Sequence, residues 1–79
     1  MTLTVKFFAS VREVVGVRTA TIEAPDGSTV GSLWQSYVET HPRLRGFGVA
    51  YAVNQQYVGA SHPLKDGDEV AFIPPVSGG

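Results

Sequence analysis

The sequence predicts an α+β fold in which a mixed sheet carries one principal helix on one face. Three observations lead there. Period-two alternation marks strands near both ends of the chain. Apolar residues recur at helical spacing in one sustained run, Val30, Leu33, Trp34, Tyr37 and Val38. Glycine and proline clusters then divide the chain into the order strand, strand, helix and two or three further strands, an α+β layer arrangement.

Leu3 to Ala9 reads as the first strand, with Leu3, Val5 and Phe7 on one face and Thr4, Lys6 and Phe8 on the other. Ser10 to Gly16 reads as a short helical turn, with Ser10 and Glu13 at capping-box spacing and Gly16 as its stop. Arg18 to Ala24 is a second strand, ended by Pro25-Asp26-Gly27. Ser28 or Thr29 caps the principal helix, about three turns long. His41-Pro42 ends it, because a residue before proline disfavours helical dihedrals. Arg43 to Gly48 reads as loop, Val49 to Val53 as a strand, Asn54-Gln55-Gln56 as a turn and Tyr57-Val58 as a short return. After a turn carrying Asp66-Gly67-Asp68, Glu69 to Ile73 is the last strand, and Pro74-Pro75 stops it because neither proline donates to a ladder. The β-grasp, or ubiquitin-like, fold is the commonest small domain with this order, an argument by analogy. The expected organisation is a domain over residues 1–73 followed by an extended, flexible tail over 74–79.

Composition narrows the function classes. Seventy-nine residues allow one domain. Without cysteine there is no disulfide, thiol nucleophile, thiolate zinc site or iron–sulfur cluster. A net charge of −1 with scattered charges argues against a nucleic-acid or anionic-membrane surface. No apolar run approaches the roughly 20 residues of a membrane span, and the opening residues lack a signal-peptide layout, so a cytoplasmic protein is expected.

The most informative segment is Pro74 to Gly79. Six residues at roughly 3.3–3.6 Å each reach about 20 Å. The prolines hold the base extended, limiting the entropy lost on entering a narrow site. Gly78 and Gly79 have no side chains to obstruct a channel. A terminal glycine carboxylate is ionised at neutral pH and a poor electrophile, so it must first become an acyl derivative such as an acyl phosphate. A terminal Gly-Gly alone is also the frayed end of an ordinary domain; the Pro-Pro directly after a strand sets this one apart.

The run from Asp66 to Gly79, DGDEVAFIPPVSGG, resembles the C-terminus of the molybdopterin synthase small-subunit family. Lys6 to Gly16, KFFASVREVVG, resembles that family's opening segment, and Ala52-Val53-Asn54-Gln55 and His62-Pro63-Leu64 add shorter matches. The resemblance is poor from Pro42 to Ala50. It implies a sulfur carrier whose Gly79 is adenylated with ATP by a ubiquitin-activating-type adenylyltransferase. AMP would then give way to sulfur, forming a thiocarboxylate. The charged carrier would join a large subunit, as a heterotetramer, and pass sulfur to a cyclic pyranopterin. No permanent cofactor is implied, only transient AMP and sulfur on Gly79. Gly78 would give access, while Pro74, Pro75, Val76 and Ser77 would guide the tail into the partner.

One helix covers only one face of a small sheet. Leu3, Val5, Phe7, Ile22, Val70 and Phe72 are expected to meet Leu33, Trp34 and Tyr37 there. Alternation places Phe8 and Ile73 on the opposite face, joined by Tyr57 from the return strand. Large apolar groups on an open face mark a partner site, and the resemblance puts the docking of both partners at these positions. A lone exposed Phe8, or one packed under the 10–16 turn, is the simpler alternative.

Other signals carry no chemistry. His41 and His62 each precede a proline without ligand spacing, so no metal site is expected. Gly46-Phe47-Gly48 lacks the lysine and hydroxyl of a phosphate loop, and Asp66-Gly67-Asp68 lacks the glutamate of a calcium loop, Ser77 standing there instead. No serine sits in a nucleophile elbow. Arg12 and Arg18 read as surface groups or partner contacts. Three alternatives stay open: a sulfur carrier for thiamine, tungsten cofactor, cysteine or tRNA thiolation; a ubiquitin-like protein modifier; and a plain binding module with an inert tail.

Overall fold

The computed structural model describes residues 1–75. Five strands, β1 (Thr2–Phe7), β2 (Thr19–Glu23), β3 (Ala50–Val53), β4 (Gln56–Val58) and β5 (Glu69–Ile73), form one sheet in the order β2-β1-β5-β3-β4. β1 and β5 pair in parallel at its centre and the other pairings are antiparallel, so the sheet is mixed as expected. Val5 pairs with Val70 and Phe7 with Phe72, which aligns the apolar faces of the two central strands. A one-residue slip of either strand would turn that strand's pair of side chains away from the core.

The principal helix α2 (Val30–Thr40) lies against that face. Thr29 is its N-cap, and a reciprocal capping box with Ser32 satisfies two amides that would otherwise lack partners. Val30, Leu33, Trp34 and Val38 are buried. Phe72 has no exposed surface and is the hub: its ring centroid lies 4.9 Å from Trp34, 5.9 Å from Tyr37, 6.0 Å from Tyr51 and 6.3 Å from Phe7. These are offset or edge-on aromatic distances, so the core gains from geometry as well as area. Burial pushes the Tyr37 phenol above its ordinary value of 10.0.

Four local expectations need correction. The strand expected to run to Ala9 stops at Phe7, and the helix α1 (Ala9–Val15) begins directly after Phe8. Ser10 and Glu13 therefore lie inside α1 and cap nothing. The turn out of β1 is made earlier, with Phe8 as an extended N-cap whose carbonyl accepts the amides of Val11 and Arg12, and Ala9 at φ 48°. Gly16 does stop α1, in the left-handed conformation. The β3–β4 turn needs only Asn54 and Gln55, both at positive φ, since Gln56 already pairs with Val53. The stretch from Arg43 that read as loop opens with a 3₁₀ turn (Pro42–Leu44), where Leu44 is fully buried beside the helices.

Gly31 is held by close approach. Its amide donates to the Ala60 carbonyl at 2.8 Å, and a Cβ here would stand 2.9 Å from both the Cβ and the carbonyl oxygen of Ala60. Glycine to alanine inside a helix ordinarily stabilises by about 0.5–1 kcal/mol. Gly31→Ala is expected instead to destabilise by about 1–3 kcal/mol through overpacking. A denaturant midpoint equal to or above the parent's would show that the 59–62 loop yields freely.

Candidate functional site

The helices leave the other face of the sheet open, and register decides what stands on it. Lys6 pairs with Ala71, Ala71 with Ala52 and Ala52 with Tyr57, one row across four strands. In the next row Ile73 pairs with Ala50, and Phe8 follows two positions after Lys6. Small residues at the centre and large ones at the edge make a hollow of about 260 Å³. Phe8, Tyr57, Ile73, Ala52 and Ala71 line it, with Lys6, Glu69 and Gln55 at its margin. Lys6 Nζ lies 3.4 Å from a Glu69 carboxylate oxygen, a half-exposed pair that contributes little to stability.

The three residues expected on this face are thus brought into one hollow. Phe8 is 43% exposed and Tyr57 75%, while Ile73 is half-buried. Phe8 is neither isolated nor packed beneath α1. Large apolar side chains around an apolar floor resemble the buried centre of a protein interface before its partner arrives.

A second hollow, of about 340 Å³, shares Tyr57 and Ile73 and continues past Gly48, Val49 and Ala50 to Pro74 and Pro75. The groove therefore runs from Phe8 to the base of the tail. Pro74 is buried and Pro75 exposed. Val76, Ser77, Gly78 and Gly79 lie outside the described residues.

Sequence reasoning missed the floor. Ala52 and Ala71 carry no chemistry of their own, yet small residues at facing positions are what make the surface concave. Period-two spacing from Ile73 back to Ala71 was the available signal. The contribution of Gly48 was also missed, since the stretch from Arg43 to Gly48 lacks periodicity.

The remaining polar residues act structurally. Asp66 Oδ1 accepts the Thr2 amide at 2.6 Å, and Asp68 accepts from the Asn54 side chain and the Lys65 amide. His41 terminates α2 and stacks on Tyr37, and the His62 carbonyl accepts the Val30 amide. Among the described residues no three His, Asp or Glu side chains gather as a metal site would require, and no helix is long and apolar enough to cross a membrane.

Comparison with known proteins gives a consistent result. The model of the ThiS family matches residues 5–79. The chain is 49% identical to the molybdopterin synthase sulfur carrier subunit of Escherichia coli K12, over 95% of this chain and 96% of that protein. Small archaeal modifier protein 1 of Haloferax volcanii shares its structure with a TM-score of 0.81 at 30% identity, covering 95% of this chain and 98% of that one. A chain in the protein–protein complex of subunits 1 and 2 of molybdopterin-converting factor from Helicobacter pylori matches with a TM-score of 0.69 at 27% identity, over the whole of both. The fold is β-grasp, ubiquitin-like. With a family match over nearly its entire length and a relative so similar end to end, this chain belongs to the ThiS family.

Proposed function

We propose that this chain is the sulfur carrier subunit of a molybdopterin synthase, working through the carboxylate of Gly79. The observation that carries the reading is the groove joining Phe8, Tyr57 and Ile73 to Pro74 and Pro75, which couples a docking face to the segment leading to Gly-Gly. The sequence has no cysteine and no nucleophile elbow around any serine, so the chemistry is assigned to a partner's site, with this chain as donor.

The proposed sequence begins with the Gly79 carboxylate attacking the α-phosphorus of ATP in the site of a ubiquitin-activating-type adenylyltransferase. Pyrophosphate leaves and a glycyl adenylate forms. A sulfur nucleophile at the oxidation level of hydrosulfide adds to the acyl carbon and expels AMP, leaving the thiocarboxylate. The carrier then docks on the synthase large subunit, in a heterotetramer; its sulfur attacks a carbon of a cyclic pyranopterin and displaces an oxygen substituent there, and water cleaves the acyl C–S bond to restore the Gly79 carboxylate. The carrier itself keeps no cofactor: AMP and sulfur are transient on Gly79. Pro74, Pro75, Val76 and Ser77 guide the tail, and Gly78 lets it pass a narrow channel. The whole cycle is assigned to the cytoplasm.

Mass spectrometry of the chain after incubation with the adenylyltransferase, ATP and a sulfur donor tests this. The expected result is replacement of one terminal oxygen by sulfur, followed by loss of that sulfur to the pterin only when the large subunit is present. A chain that stays at its starting mass in the complete mixture overturns the reading. Likeness to small archaeal modifier protein 1 supports a second use of the same adenylate, attack by a lysine amine to form an isopeptide bond. Conjugates recovered in place of the thiocarboxylate would favour that use.

The docking face makes its own prediction. Truncated aromatics at interface centres commonly cost 2 kcal/mol or more in affinity. Phe8→Ala is expected to weaken binding to the large subunit by about thirtyfold while leaving the thermal midpoint nearly unchanged, because the ring is already 43% exposed. A lowered midpoint with unchanged affinity would return Phe8 to the core.

A further inference from the structure

The fold sorts the charges of this chain by end. β1 and β5 run parallel and finish side by side at Phe7 and Ile73, so the tail departs there. Arg18 reaches the same end, its carbonyl accepting the Phe7 amide at 2.9 Å, and Arg12 lies in α1, which follows directly. The Phe7 and Tyr37 rings, 5.1 Å apart, bring the C-terminal end of α2 to this end as well. The 3₁₀ turn that follows carries Arg43, with Arg45 just after it. All four arginines, and Lys6, thus lie toward the tail. The opposite end holds Glu23, Asp26, Asp66 and Asp68, close to where β1 begins. Among the described residues, none of the four arginines has a carboxylate oxygen within 4 Å, although Glu13 and Glu39 belong to the same end.

We propose that these arginines form a steering collar for an acidic protein surface, the rim of the partner site that receives the tail. The inference rests on the function proposed above and adds the chemistry of the partner's rim. A net charge of −1 would leave the chain indifferent to an acidic partner, or weakly repelled by it. A molecule positive at one end and negative at the other is instead turned during approach, so that its tail leads. Arg12 and Arg18 flank Phe8 in a shallow hollow, while Arg43 and Arg45 stand on a separate element. Cations spread over several elements match an extended acidic rim better than a single phosphate. The hollow that holds Arg12 and Arg18 shares Lys6 and Phe8 with the apolar groove, so this part of the collar and the docking face form one continuous surface.

Stopped-flow association with the synthase large subunit, from about 0.02 to 0.5 M salt, tests the proposal. Arg12→Glu/Arg18→Glu and Arg43→Glu/Arg45→Glu are each expected to slow association about tenfold or more at the lowest salt. The deficit should fade toward 0.5 M as screening shortens to a few ångströms, with dissociation little changed. Arg18→Gln, which removes charge without reversing it, should give a smaller loss of the same kind. Lys65→Glu, at the opposite end, should change the rate by less than about twofold. A parent association rate indifferent to salt overturns the collar, as does equal slowing by Lys65→Glu. Saturable binding of free ATP to the isolated chain, abolished by the arginine substitutions, would overturn it too, by assigning the cluster to a small anion. The two readings fail separately. A parent that gains sulfur and binds without salt dependence removes only the collar, whereas a parent that neither gains sulfur nor binds removes the function beneath it.

Discussion

A chain ending at Gly78 is expected to fold and dock like the parent and to gain no sulfur. Deleting Gly79 draws the carboxylate back by one residue, about 3.3–3.6 Å along an extended chain. In-line attack on phosphorus requires the reacting atoms within a fraction of an ångström of alignment, and a 1 Å misplacement alone can cost about a hundredfold. Charging should therefore fall by well over a hundredfold, below detection in a mass-spectrometric time course. The sheet and core end at Ile73 and Phe72, so the thermal midpoint should stay where it is. Affinity for the large subunit should fall only by whatever the last residue contributes. An added alanine after Gly79 is the matching test from the other side, since it pushes the carboxylate too far and places a Cβ at the terminus. A truncated chain that takes up sulfur at the parent's rate would show that the tail is not the reacting group, and the proposed function would fall with it.

What the sequence made legible divides along a physical line. Burial on one face forces a period, so Leu3, Val5, Phe7, Val70 and Phe72 declared their strands, and Val30, Leu33, Trp34 and Val38 their helix. The open face followed by parity alone, which is why Phe8, Tyr57 and Ile73 could be grouped before any distance was known. Pairing partners were not legible. Nothing local says that β5 lies between β1 and β3, and it is this placement that sets Ala71 beside Ala52 and hollows the groove. Leu44 was missed because a single buried residue on a 3₁₀ turn has no period to betray it. The Ser10–Glu13 spacing misled for the converse reason: a capping motif shows where a helix could begin, while packing on β1 made it begin at Ala9. The sorting of arginines by end was equally hidden, because Arg12, Arg18, Arg43 and Arg45 look scattered until the strands fix their ends.

The largest loss of stability from one substitution is expected at Phe72. Its ring has no exposed surface and stands within about 6 Å of four other aromatic rings, from β1, β3 and α2. Phe→Ala at such a site typically costs about 3–5 kcal/mol, the transfer term together with the cavity left behind. A domain of this length has about 4–12 kcal/mol in total, so Phe72→Ala should lose a large fraction of its stability and could unfold outright. Relaxation offers little relief, because each of the four neighbours belongs to an element pinned by its own strand or helix bonds. Phe72→Leu, which refills much of the volume, should retain more of the parent's stability than the alanine variant and so separate cavity from chemistry. The consequence reaches the proposed function through the pleat: Ala71 and Ile73, on either side of Phe72, line the groove proposed as the docking face. A destabilised β5 should therefore also weaken binding to the large subunit, in proportion to the unfolded fraction at the assay temperature. Urea titration of the three chains checks the first part, and titration calorimetry below the unfolding midpoint checks the second. If Phe72→Ala keeps the parent's urea midpoint, the aromatic cluster is not what holds helix α2 to the sheet.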